Sequence, residues 1–305
     1  MVYTEWQNSR FASADGKSCQ GCHLPRTNGV QVATRPHNLP RRDAFGRHTL
    51  VGGNTMMLQL LDENREELGI TALGFDRTIA RTRESLASAA TLTIRETKRE
   101  ASELLFVVQV DNLSGHKLPT SYPSRRVWLH VLASDAAGAP VFESGKMLDD
   151  GRIVGVDADF AAGTYEPHHD VIASQEDVQV YESIMGNTDG AQTYTLLRAA
   201  TYLKDNRLLP SGFSKDAAPS DVAVRGEAAL DPSFVDGGDA VTYRLPAASS
   251  VKTVLVELRY QAISFGFVND LFTDEADATV ATFARLWRGA TLRAETIAST
   301  TIQVP

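Results

Sequence analysis

The sequence predicts a mainly β protein, in which a small N-terminal region of helices and loops precedes an antiparallel β-sandwich. Three observations support this class. From about residue 91 onward, apolar or β-branched residues alternate with polar ones in many short segments, which is the period of strands. Turns rich in Gly, Asp and Pro separate these segments, and helices do not alternate with them. Before residue 91, the periodic segments have helical spacing instead. We therefore predict two domains, residues 1–90 and 91–305.

In the N-terminal region, residues 1–55 are rich in Gly, Pro, Arg and His and have no regular period. Such a segment is typical of loops that fold around something other than their own side chains. Two helices are expected next, over 54–68 and 75–90, because their apolar residues recur at intervals of three and four.

The C-terminal region is expected to contain eight strands, one helix over 274–288 and long loops over 205–240. The helix follows from the spacing of Ala276, Val280, Phe283 and Trp287. The expected strands are 91–96, 104–111, 127–134, 140–144, 178–181, 241–245, 253–263 and 292–302.

Composition excludes several classes of protein. The formal charge of −8 argues against nucleic-acid binding, which requires a basic surface. No apolar run approaches the 18 or so residues that would span a membrane. The two cysteines cannot form a disulfide framework for 305 residues, so their motif must be explained by other chemistry.

That motif is Cys19-Gln-Gly-Cys22-His23, the CxxCH attachment signature of c-type haem. Two thiols three residues apart can form thioethers with the two vinyl groups of one porphyrin, and the adjacent imidazole can bind the iron. One covalent haem c, with His23 as the proximal ligand, is therefore predicted.

Two other uses of the cysteines remain open at this stage. A structural zinc site could combine Cys19 and Cys22 with His37 and His48. A thioredoxin-like thiol pair would require a βαβ setting, whereas the surrounding sequence predicts loops. The complete CxxCH motif favours haem over both.

Several segments resemble bacterial multihaem c-type cytochromes. They are residues 5–9 (EWQNS), the CQGCHLP segment, residues 42–54 ending in HTLVGGN, and GHKLPT at 115–120, with further likeness at 123–129, 178–182 and 204–213. The resemblance implies a haem-binding segment followed by a C-terminal β-domain. Members of that family usually have several CxxCH motifs and this chain has one, which suggests a C-terminal fragment or a reduced member.

A second axial ligand is expected to be His48, whose HxxxGGN setting matches the family's pattern. The alternatives are His37, His116 and His168, of which His168 also matches that pattern, and less favourably Met56 or Met57. A bis-histidine iron would have a low reduction potential.

Two further residues are predicted to contact the cofactor. Arg42 lies in a basic cluster near the motif, and a guanidinium suits the carboxylates of the haem propionates. Trp6 could pack on the porphyrin.

The predicted function is electron transfer in the periplasm or outside the cell, because haem is attached to cysteines outside the cytoplasm. The leader or an upstream part is expected to be absent from this chain. The partners are expected to be redox proteins or other multihaem subunits or domains. The negative net charge favours redox partners that are basic. The alternatives are a haem enzyme with an open distal site and a docking module of a larger complex.

Overall fold

The computed structural model of this chain describes residues 1–13, 16–100, 103–246 and 250–304. The predicted mainly β class is confirmed. Strands dominate the chain after residue 90, and short helices dominate before it. The helices are α1 (Val2–Gln7), α2 (Cys19–His23), α3 (Thr55–Glu63), α4 (Phe75–Ala87), α5 (Phe265–Leu271) and α6 (Ala278–Gly289).

The strands form a small ribbon and two larger sheets, almost entirely antiparallel. The ribbon pairs β1 (Arg26–Thr27) with β2 (Phe45–Gly46). One sheet contains β3 (Ala90–Glu100), β4 (Glu103–Asn112), β11 (Gly238–Pro246) and β7 (Val171–Ile172), in that order. The other has the order β10 (Thr201–Asp205), β8 (Val180–Gly186), β5 (Arg126–Ser134), β12 (Thr253–Gln261) and β13 (Glu295–Gln303). In it, β6 (Pro140–Ser144) also pairs with β5, and β9 (Gln192–Thr193) with β8.

The two large sheets share one hydrophobic core. Buried and half-buried residues alternate along both β4 and β12, as expected where one face of each sheet is covered. The buried members of the two strands belong to a single cluster, which joins the sheets as a sandwich. The apolar ones are Leu104, Phe106, Val108, Val110, Val254, Val256, Leu258 and Tyr260.

Most differences from the sequence prediction concern element boundaries. The helix expected over 54–68 ends at Glu63, where the Asn64 side chain donates a hydrogen bond to the Leu60 carbonyl. The helix expected from 274 begins at Ala278, because the Asp277 carboxylate accepts hydrogen bonds from two backbone N–H groups of the first turn.

Some short elements were not predicted. The helices α1, α5 and α2, which carries the CxxCH motif, are each too short for their periodicity to be detected in the sequence. The strand β10 was also missed. The long loops expected over 205–240 contain one short 3₁₀ turn before β11 begins at Gly238.

Two helices of the N-terminal region pack against residues that follow position 90. Leu86 of α4 belongs to the sandwich core, and Met56 of α3 packs with Val268 and Trp287. The division at residue 91 stays a prediction, although buried contacts cross it. In the described part of the chain, no helix combines the length and apolar character needed to cross a membrane.

Candidate haem site

The two cysteines and His23 lie on one short helix. Ser18 caps α2 by accepting a hydrogen bond from the Gly21 N–H at 3.3 Å. The helical spacing brings Cys19 and Cys22 to neighbouring positions one turn apart, and both thiols are exposed. The motif therefore presents two accessible thiols and an imidazole within a single helix.

Two cavities meet at the histidine pair His23 and His116, which lines both. One, of about 300 Å³, is also lined by Cys19 and Cys22, together with Val2, Tyr3, Trp6, Phe11, Lys17, Ser18 and Gly115. The other, of about 220 Å³, is bounded by the loop 51–53, the end of α4, the segment 113–120, Arg125 and Tyr260. A flat group placed between the two imidazoles would thus extend into both cavities, the one lined by the thiols and the more polar one.

Both histidines direct the same ring nitrogen to a backbone carbonyl. The His23 Nδ1 lies 3.3 Å from the Val51 carbonyl oxygen, and the His116 Nδ1 lies 3.0 Å from that of Lys117. A carbonyl can only accept, so each Nδ1 carries the proton and donates it. Each Nε2 is then unprotonated in the neutral ring, which is the state in which imidazole binds a metal.

The separation of the two rings matches axial ligands on one iron. Their centroids are 6.1 Å apart and their planes differ by 14°. A metal–imidazole bond of about 2 Å on each side, plus about 1 Å from each nitrogen to its ring centre, separates two axial rings by roughly 6 Å. The residues present therefore fit a haem.

His116 is held by the turn that follows β4. Asn112 donates to the His116 carbonyl at 2.9 Å, and Ser114 Oγ donates to the same oxygen at 2.8 Å. A Cβ at Gly115 would approach Trp6 to 3.3 Å, so glycine permits the close contact of this turn with α1. Burial lowers the pKa of His116, partly offset by the Lys117 carbonyl and the Glu5 charge. The ring is accordingly neutral at pH 7.

A buried ionic quartet lies directly behind His116. The Nζ of Lys117 lies 2.8 Å from the Asp205 carboxylate. Arg207 donates to the same carboxylate through two nitrogens and also forms an ion pair with Glu5 at 2.9 Å. Glu5 further accepts the Lys117 N–H and the Thr120 hydroxyl. All four charged side chains are at most 2% exposed. The quartet connects α1 to the turn that carries His116 and to the end of β10.

The structure brings together some of the residues that the sequence singled out, and not others. Cys19, Cys22, His23 and Trp6 line the thiol-side cavity, where Trp6 donates its indole N–H to the Lys17 carbonyl. His37, His48 and Arg42 are exposed and line neither cavity. Arg42 instead forms a backbone bridge with Val30.

Arg125 is the guanidinium that lines the polar cavity, and it donates to the Thr120 carbonyl at 2.9 Å. The sequence prediction missed this residue, although Arg125 lies in one of the segments that resemble multihaem cytochromes. It also missed Glu5, whose burial in α1 no local pattern indicates.

His168 lies in the sandwich, away from both cavities. Its Nε2 is 3.0 Å from Asp231, and its Nδ1 faces the amide groups of Gln179 and Asn206 at 2.8 and 3.1 Å. Within the described residues, His168, Asp231 and Asp239 are the one group of three or more His, Cys, Asp or Glu ligand atoms that lie within 4.8 Å. The zinc set of Cys19, Cys22, His37 and His48 is therefore not assembled.

The fold is similar to that of a solved cytochrome. The crystal structure of a penta-heme cytochrome c552 from Thermochromatium tepidum matches all of this chain with a TM-score of 0.53 and 17% sequence identity. The chain spans about half the length of that protein. No protein-family model matches the sequence, and no curated protein does. By fold, this chain is therefore similar to part of a multihaem cytochrome.

Proposed function

We propose that this chain is an electron-transfer c-type cytochrome that carries one covalent haem c. Cys19 and Cys22 would form the thioethers, and His23 would be the proximal ligand. The resemblance of the sequence to multihaem cytochromes and the likeness of the fold to the penta-heme cytochrome both support this proposal. Because haem is attached to cysteines outside the cytoplasm, we place the protein in the periplasm or outside the cell.

The observation that carries the proposal is the His23–His116 pair. The ring separation of 6.1 Å and the matching Nδ1 hydrogen bonds favour His116 as the distal ligand over His48, His37 and His168. A haem held there would supply a one-electron Fe(III)/Fe(II) couple. The protein's own part is to orient both imidazoles through the hydrogen bonds from Nδ1 to the Val51 and Lys117 carbonyls. Two axial imidazoles favour a lower potential than a His/Met pair.

The proposal is tested by maturing the chain in a bacterial periplasm. We expect the mass of one haem on the purified protein and a low-spin spectrum in both oxidation states. The double variant Cys19→Ser/Cys22→Ser should carry none. Bound zinc without haem would overturn the proposal.

The distal ligand is tested by comparing two histidine variants. His116→Ala should convert the ferric spectrum from low-spin to high-spin and allow carbon monoxide to bind the ferrous form, because one axial position becomes vacant. His48→Ala is the matched control and should leave the spectrum unchanged. The opposite pattern would restore His48 as the ligand. Carbon monoxide binding and peroxidase turnover by the parent would favour a haem enzyme instead.

A further inference from the structure

The segment 24–50 forms a two-stranded ribbon whose two ends lie at the candidate haem site. Arg26 pairs with Gly46 and Thr27 with Phe45, and a bridge joins Val30 to Arg42 further along. His23 precedes the ribbon and Val51 follows it, and these two are joined by the Nδ1 contact to the Val51 carbonyl. We call residues 24–50 the basic ribbon.

The ribbon carries a charge opposite to that of the whole chain. Five arginines and one aspartate give residues 24–50 a formal charge of +4, so the remainder of the chain carries −12. All five arginines are exposed: Arg26, Arg35, Arg41, Arg42 and Arg47. The net charge of −8 therefore does not describe the surface next to the site.

The positive charge of the ribbon is not neutralised within the molecule. None of its five arginines forms an ion pair with a carboxylate in the described ranges of the chain. Exposed arginines elsewhere do form such pairs, as Arg83 does with Glu295, Arg244 with Glu103 and Arg288 with Glu275. Arg41 donates instead to the Gly29 carbonyl, which leaves its charge intact.

The ribbon also lacks a core of its own. None of the residues 24–50 is buried, and Val32, Leu39 and Leu50 expose 48%, 40% and 70% of their surface. An isolated two-stranded ribbon is only marginally stable in water. Exposed apolar side chains among unpaired arginines are typical of a protein-binding surface, in which Arg is enriched.

We propose that the basic ribbon docks a redox partner protein through an acidic surface on that partner. This inference rests on the proposed function, because the ribbon then places its occupant at the site where an electron enters or leaves. A positively charged ribbon favours a negatively charged partner surface. Arginines that form no ion pair would increase the association rate at low salt.

The test measures electron transfer from a reduced acidic [2Fe–2S] ferredoxin to the oxidised protein. Each ferredoxin gives up one electron, and one Fe(III) of this protein becomes Fe(II). The variant is Arg26→Glu/Arg35→Glu, because neither guanidinium makes a hydrogen bond within the described residues. We expect the second-order rate of the parent to fall as salt rises, and the rate of the variant at low salt to be lower by about tenfold or more.

The matched control is Arg244→Glu/Lys252→Glu, which changes the net charge equally. Arg244 pairs with Leu105, eight residues along β4 from the cavity residue Leu113, or about 25 Å at the rise of a strand. This control should retain the parent rate. The neutral variant Arg26→Gln/Arg35→Gln should show an intermediate loss with an unchanged spectrum, which separates a charge effect from misfolding of the ribbon.

Several results would overturn the inference. A ribbon variant with the parent's rate, or a control with the same loss, would remove the role of the ribbon. Salt-sensitive dimers in sedimentation would make a second copy the occupant. Ribbon-dependent binding to phosphatidylglycerol vesicles would make it a lipid surface. If the parent protein has a low-spin haem spectrum but its rate does not depend on salt, only the docking role of the ribbon is refuted. If the parent protein carries no haem, the proposed function is refuted as well.

Discussion

Glu5 lies in a helix of six residues, yet its carboxylate is fully buried. It accepts the backbone N–H of Lys117, next to His116, and pairs with Arg207. Removing one partner of a buried ion pair is costly, because the other charge stays away from water. The side chain thus stabilises both the fold and the turn that carries the candidate distal ligand.

We predict that Glu5→Gln lowers the free energy of unfolding by about 3 kcal/mol. Glutamine keeps the shape and an acceptor for the Lys117 N–H but removes the charge that faces Arg207. Urea unfolding measures the loss. Glu103→Gln is the control, because its ion pair with Arg244 is solvent-exposed and should contribute little. Equal effects of the two substitutions would contradict the importance of the buried quartet.

Asp239 and His168 make opposite contributions to the pH dependence of stability. Burial raises the pKa of Asp239 to about 7, although Tyr181 donates to its carboxylate at 2.7 Å. Burial also lowers the pKa of His168 to about 4. Between about pH 4 and 7 the folded state binds more protons at Asp239 than the unfolded state does, so this contribution falls as pH rises. The His168 contribution rises over nearly the same interval.

Asp239→Asn should therefore become more stable relative to the parent as the pH is raised from about 4 to about 7. The relative gain should be at most about 1.4 kcal/mol per pH unit and should level off above pH 7. Urea unfolding at each unit between pH 5 and 8 gives the difference. Asp216→Asn changes an exposed loop carboxylate and should follow the parent at every pH. A constant difference between Asp239→Asn and the parent would contradict the raised pKa.

Among the elements, the end of β6 depends on a glycine. Gly145 has a φ of +75°, and its carbonyl accepts the indole N–H of buried Trp128 at 2.9 Å. A Cβ there would lie 2.4 Å from the Leu129 carbonyl oxygen, which is backbone and cannot move freely. Both the backbone conformation and the available space therefore require glycine.

We expect Gly145→Ala to destabilise the protein far more than Gly138→Ala. Gly138 also has a positive φ, of +81°, but a Cβ there would meet nothing within 4 Å. Alanine at 138 should cost about 1 kcal/mol from backbone strain alone. Alanine at 145 adds a backbone clash and should cost several kcal/mol, of the order seen for overpacked cores. Similar melting temperatures for the two variants would show that the hairpin adapts without strain.

The charge of the whole molecule is unevenly distributed. A chain with a net charge of −8 carries a basic ribbon of +4 beside its candidate haem site. The net charge by itself predicts a basic partner. At distances comparable to the Debye length of about 10 Å, however, the charges near the contact dominate those farther away. The ribbon therefore supports an acidic partner.

The two regions of the chain are joined by buried contacts. The strand period from about residue 91 predicts that residues 91–305 form a unit that folds independently. A fragment starting at residue 91 would lose Leu86 from the sandwich core and leave Arg207 without Glu5. We now expect this fragment to unfold at lower urea concentration than the full chain and to expose apolar surface to a fluorescent dye. Equal midpoints would establish residues 91–305 as an independent domain.

The sequence alone determined the β class and predicts the haem chemistry of the cysteine motif. Both depend on local spacing: side chains alternate every two residues along a strand such as β4, and Cys19, Cys22 and His23 share one helical turn. The count of two cysteines also excluded a disulfide framework. None of these conclusions required knowledge of residues distant in the chain.

Only the tertiary structure decided which histidine faces His23. His48 is 25 residues from His23 and His116 is 93, and the HxxxGGN setting of His48, which matches the pattern of multihaem cytochromes, favours the former. The turn after β4 places the His116 ring 6.1 Å from that of His23, while His48 is exposed on the ribbon. Glu5 is buried where α1 meets this turn, and Arg125, not Arg42, lines the cavity. These positions depend on contacts between elements that are distant in the sequence. The local periodicity of the sequence does not specify such contacts.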